Sequence, residues 1–130
     1  MAGLADLQAA VLNLREIAGL RWSKRFIDFY LGERRTCELG DSCVLQSLSG
    51  DVARASDDTR EAYEVELRKI IAAIAAGLDG SPKAQRAKAI SLLAILAGGV
   101  SLARAVKDPV LSKEIADAVK IKAHLIVGLD

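Results

Sequence analysis

The 130-residue chain has two prolines, two phenylalanines, two tyrosines, one tryptophan, two cysteines and one histidine. Each scarcity excludes something. So few prolines rule out a Pro-rich linker or a collagen-like chain. Charge of one sign is missing too: 18 basic against 17 acidic residues leave a net charge of +1. A domain built mainly to grip nucleic acid carries a basic excess or a strong basic face, and the overall charge supplies none. Cys37 and Cys43 are too few and too far apart for a zinc site or a disulfide scaffold. The expectation is two reduced thiols in a cytosolic protein. His124 has no partner at metal or catalytic spacing and reads as a packed or solvated side chain. No metal and no cofactor is therefore expected.

Targeting signals are equally sparse. No basic n-region stands at Met1–Gly3, so no secretory signal is read there. The longest apolar stretch, Ala89–Val106, is interrupted by Ser91, Ser101 and Arg104 and holds Gly98 and Gly99. It is expected to be a buried protein helix rather than a membrane span. The chain reads as soluble and cytoplasmic, with no membrane partner.

What is present is aliphatic. Hydrophobic residues make up 52% of the chain and aromatic ones only 4%, which excludes intrinsic disorder. Alanine and leucine lead the helix scale, so the expected class is all-α. Leu4, Leu7, Val11, Leu14 and Ala18 fall at helical spacing before a break at Gly19. A second run, 20–31, gathers Trp22, Phe26, Phe29 and Tyr30, with Gly32 expected to close it and a polar loop over 33–41. A short helix is expected from Ser42 to Ala55, on Val44, Leu45, Leu48 and Val52.

Asp58 followed by Glu61 resembles a capping box, opening a helix to about Leu78 with Tyr63, Leu67, Ile70, Ile71 and Ile74 on its apolar stripe. Its early Glu61, Glu64 and Glu66 and later Arg68 and Lys69 follow the order the helix dipole favours. Ser81-Pro82 and Asp108-Pro109 each place a capping side chain before a first-turn proline. The helices they open run over 83–106, apolar nearly all round, and 109–127, with Leu111, Ile115, Ala118, Val119, Leu125 and Ile126 on its buried side. The expectation is one domain over 1–130, a bundle of five to six helices, the last two long and antiparallel because their connection is short.

Candidate chemistry is thin. Ser42, Ser47 and Ser49 lack a neighbouring base, Cys43 has no adjacent cation to activate it, and no nucleophile elbow or phosphate loop occurs. Glu61, Glu64 and Glu66 read as a solvated helix start, and Lys83, Arg86 and Lys88, like Arg21, Lys24 and Arg25, as solvated faces. No enzyme is indicated. Trp22, Phe26, Phe29 and Tyr63 read either as ordinary core or as the wall of an apolar pocket.

Three phrases carry a resemblance: Tyr30-Leu31 leading to Cys43-Val44-Leu45-Gln46-Ser47-Leu48 and Asp51-Val52-Ala53-Arg54-Ala55-Ser56; then Leu96-Ala97-Gly98-Gly99 through Leu102-Ala103-Arg104-Ala105; then Asp108-Pro109-Val110-Leu111-Ser112. Together they resemble the ligand-binding and dimerisation domain of TetR-family transcriptional regulators over roughly residues 20–127. Ser42 stands where that branch usually has glycine, and Glu33-Arg34-Arg35 replaces a histidine-arginine-aspartate phrase. No helix-turn-helix reading unit is read in residues 1–32, so DNA contact is expected only through a segment absent from this chain.

The resemblance implies a pocket for a small, largely apolar effector, assigned to Trp22, Phe26, Tyr63, Leu67 and Leu93 with Cys43 at its edge. It also implies a homodimer in which the last two helices pair with their mates as a four-helix bundle. The residues assigned to that contact are Ala94, Ala97, Gly98, Ser101, Ala105, Ile115, Val119 and Lys122. Small side chains on the penultimate helix would permit close approach. The alternative reading is a stand-alone helical homodimeric interaction module with no ligand or DNA role.

Overall fold

The computed structural model describes residues 8, 9, 11–13, 15, 22–36 and 53–128, with backbone alone at Phe29 and 32–36. Among the described residues the fold is all-α, without strands. Four helices are delimited: α1 (Trp22–Thr36), α2 (Asp57–Ala75), α3 (Pro82–Ala105) and α4 (Pro109–Ile126). Helical residues 8, 9, 11–13 and 15 precede them, with Val11 fully buried and Arg15 donating to the Ala73 carbonyl of α2 at 3.0 Å.

In α1, Trp22, Phe26, Ile27, Tyr30 and Leu31 recur at helical spacing and are all buried. The Trp22 and Phe26 rings lie 6.3 Å apart, and Phe26 and Tyr30 meet edge-on at 5.9 Å, separations favoured by aromatic quadrupoles. The helix does not close at Gly32 as expected but continues to Thr36. A lone interior glycine costs only about 1 kcal/mol against alanine. Glu33, Arg34 and Arg35 are good helix formers, and no proline follows.

The start of α2 also differs from expectation. Its cap is Ser56, not Asp58: Ser56 has the extended backbone of a cap and its hydroxyl accepts from the Thr59 amide at 3.4 Å. Asp57 and Asp58 instead occupy the first turn, where the positive end of the helix dipole favours carboxylates. Farther along, Arg68 pairs with Glu64 at 3.1 Å and Lys69 with Glu66 at 3.2 Å. The helix stops at Ala75, short of Leu78, because the chain turns through Gly77 to Gly80, whose φ of 113° favours glycine. Of the expected helix over 42–55, Ala53–Ala55 form a turn and bend, and 42–52 lie outside the described residues.

The two later caps stand where the sequence places them. Ser81 accepts from the Ala84 amide at 3.2 Å and Asp108 from the Val110 amide at 3.0 Å, each with proline next in the chain. Ala89, Leu92, Leu93, Leu96, Gly99, Val100 and Ala103 form the buried stripe of α3. That stripe makes α3 the central helix: α1, α2 and α4 all pack on it, α1 also touches α4, and α2 and α4 do not meet. The α3–α4 contact is the most extensive, as a two-helix hairpin requires. By length and composition α3 could cross a membrane, the only such helix among the described residues. Its seven buried residues are those of a helix at the centre of a protein core.

Candidate functional site

The space between α2 and α3 is where an apolar ligand could enter. Tyr63, Leu67 and Ile71 on one side and Ile90, Leu93, Ala94 and Ala97 on the other line an open groove of about 230 Å³. The spacings 63, 67, 71 and 90, 94, 97 each trace one helix edge, so the groove is the unfilled seam between two amphipathic helices. No residue in its lining carries a charge. Its lining offers mostly apolar surface, with the phenol of Tyr63 as the polar side chain among it.

Three of the assigned pocket residues, Tyr63, Leu67 and Leu93, meet in this groove. Trp22 and Phe26 do not line it. They are 3% and 1% exposed, and the Trp22 indole N–H donates to the Gly77 carbonyl at 3.1 Å. Their large apolar area is used to join α1 to the core, which leaves Tyr63 as the aromatic side chain of the groove wall. Cys43 and Phe29 lie outside the residues whose side chains are described. Ile71 and Ile90 are groove residues the sequence reading missed. Their signal was available: Ile71 stands four residues after Leu67, and Ile90 four before Ala94.

A second feature lies beside the groove. Every exposed residue of α3 from Ile90 to Ala105 is uncharged: Ile90, Ser91, Ala94, Gly98, Ser101, Leu102 and Ala105. On α4, Leu111, Ala118 and Leu125, expected on its buried side, are exposed and Ile115 is half-buried, because the helix turns Ala116 and Ala123 inward instead; Lys122 is the charged residue among the assigned contacts. Leu102 and Leu125 keep 60% and 57% of their surface in water.

The assigned dimer residues therefore divide. Gly98, Ser101, Ala105 and Lys122 are exposed, and Ala94 and Ala97 belong to the groove as well. Val119 is turned against Gly99 inside the same chain. Among the described residues no group of three or more histidine, cysteine, aspartate or glutamate side chains could hold a metal ion. No family model matches the chain, and no curated protein and no solved structure matches it.

Proposed function

We propose that this chain is the effector-sensing and dimerisation domain of a TetR-like transcriptional regulator, working as a homodimer in the cytoplasm. The observation that carries the reading is the uncharged exposed face of α3 between Ile90 and Ala105, continued on α4 by Leu111, Ala118 and Leu125. A two-fold contact needs one patch complementary to itself. Small side chains at Ala94, Gly98, Ser101 and Ala105 let two copies of α3 approach, and Leu102 supplies bulk beside them.

In this reading a small apolar effector fills the α2–α3 groove. Ala94 and Ala97 stand on the edge shared by groove and dimer face, so filling one alters the other. The effector acts by favouring one setting of the helices. Control of DNA then passes through a reading segment outside these residues. The apolar lining of the groove supports binding rather than catalysis.

Light scattering tests the assembly. Wild-type protein at micromolar concentration is expected to be a dimer, and Leu102→Lys a monomer of unchanged helix content. A monomeric wild type ends the proposal. A second reading, a homodimeric interaction module without a ligand, is favoured by the placement of Trp22 and Phe26 in the core. Failure of every apolar ligand to raise the melting temperature of a dimeric wild type would select it.

A further inference from the structure

We propose that the α2–α3 groove takes one straight saturated chain of about eight to ten carbons ending in a carboxylate, with the anionic end beside Arg86 and Lys83 of α3. This assignment rests on the reading of the groove as the effector site and names the class of effector: the anion of a medium-chain fatty acid.

The lining residues fall in register across two antiparallel helices. α2 turns back into α3 through residues 76–81, a connection short enough to make the helices antiparallel neighbours. Tyr63 then stands opposite Ala97, Leu67 opposite Ala94, and Ile71 opposite Ile90. From Tyr63 to Ile71 the helical rise of about 1.5 Å per residue gives a seam about 12 Å long. With C–C bonds of about 1.5 Å at tetrahedral angles, an extended hydrocarbon advances about 1.3 Å per carbon, so about nine carbons span it. The volume agrees. A methylene takes up about the space of a water in the liquid, about 30 Å³, so the groove of about 230 Å³ holds about eight. A rounder molecule of that volume would fill the middle of the seam and leave its ends empty.

The two ends differ in charge. Beyond Ile71 and Ile90 the next residues in the same register are Ala75 and Arg86, and Lys83 follows one turn farther along α3. Arg86 and Lys83 precede Ile90 by the helical spacings that keep side chains on one edge. Both are exposed, and among the described residues neither is held in an ion pair, Asp79 of the adjoining turn included. No acidic residue stands in the first turn of α3, so the positive end of the helix dipole adds to the same field. Facing them, α2 offers only the methyl of Ala75, which leaves room for a polar head. At the other end, Arg60, one turn before Tyr63, is paired with Asp57 at 3.9 Å, and Asp58 and Glu61 flank it. A carboxylate is therefore favoured at the start of α3 and opposed at the start of α2.

Calorimetric titration of the full chain with sodium hexanoate, octanoate, decanoate and dodecanoate, with octanol and with naphthalene-2-carboxylate, tests this. Each methylene is expected to tighten binding about threefold up to about ten carbons and to add nothing beyond, where the groove ends. Octanoate is expected to bind about fivefold tighter than octanol. Lys83→Gln combined with Arg86→Gln should erase that margin, leave octanol binding unchanged and keep the wild-type melting temperature, since both side chains are exposed. Affinity that climbs through dodecanoate without levelling, or naphthalene-2-carboxylate binding tighter than octanoate, overturns the straight chain while leaving the groove an effector site. Equal affinity for octanoate and octanol overturns the anionic head. Binding of none of these compounds removes the proposal and the effector reading together.

Discussion

Gly99 of α3 and Val119 of α4 touch so closely that a β-carbon on Gly99 would lie 2.8 Å from Val119 Cγ1 and 3.2 Å from Val119 Cβ. The neighbouring Gly98 has no atom within 4 Å of the same position. Two adjacent glycines in one helix thus serve opposite surroundings.

Substitution separates them. Gly99→Ala forces the hairpin apart and is expected to cost about 1–2 kcal/mol, the overpacking penalty less the gain in helix propensity. Val119→Ala in the same chain should recover part of that loss. Gly98→Ala meets no atom of its own chain, so an isolated monomer should gain up to about 1 kcal/mol from it, while the proposed dimer should be weakened. Denaturant midpoints measure all three. A loss with Gly98→Ala would instead place a partner's surface against that glycine.

Trp22 and Gly77 are the corresponding pair at the other end of the core. A β-carbon on Gly77 would lie 2.6 Å from Trp22 Cζ2, and the rigid indole cannot yield as a flexible chain would. Gly77→Ala is expected to destabilise by about 2 kcal/mol or more. Trp22→Phe leaves the Gly77 carbonyl without its donor and a space beside it, for a loss of about 1–3 kcal/mol. Circular dichroism melts follow both, and in Gly77→Ala the sole tryptophan also reports unfolding by fluorescence.

The groove can be filled from within. Ala97→Leu replaces alanine by a helix former nearly as good, fills part of the lining and is expected to abolish binding of an apolar fluorescent probe. Phe26→Trp behaves oppositely. Phe26 is 1% exposed, so the larger ring overpacks the core, costs about 1–3 kcal/mol and leaves the groove open. Unchanged probe binding in Ala97→Leu would move the ligand site elsewhere.

Acid should loosen α1 from α4. Partial burial pushes the Asp28 carboxyl up, but Lys24 at 2.9 Å and Lys120 of α4 at 3.0 Å outweigh it and hold it below the usual aspartate value in the folded chain. A carboxyl lowered on folding contributes stability that is complete above its unfolded value and lost as pH falls through its folded value. Wild type is therefore expected to lose melting temperature below about pH 4 more steeply than Asp28→Asn. Parallel acid curves would show that the carboxylate adds nothing to the α1–α4 contact.

Much of this fold is legible residue by residue. Ser81-Pro82 and Asp108-Pro109 announce their helices because capping is local: one side chain, one amide and one fixed φ suffice. The same locality explains why Gly32 and Asp58 mislead. A weak breaker yields to the good helix formers after it, and a carboxylate near a helix start serves as well in the first turn as at the cap. The groove was only partly legible. Periodicity put Tyr63 and Leu67 on one apolar stripe and only the resemblance added Leu93, while Trp22 and Phe26 have the composition of a pocket wall and the position of a core.

What the sequence determined by itself is the all-α character, the last two helix starts and the apolar excess of the final pair. Periodicity and capping depend on neighbours within a few residues, and those are written in order along the chain. Only the tertiary structure decided which side of each apolar helix faces inward. The rotation of α3 against α4 turns Gly99 to Val119 and leaves Gly98 in the open. The seating of α1 closes Trp22 and Phe26 into the core, and leaves the α2–α3 seam lined by Tyr63, Leu67 and Leu93. A helix apolar on nearly every side has no local signal for its orientation, because any turn of it would bury similar surface.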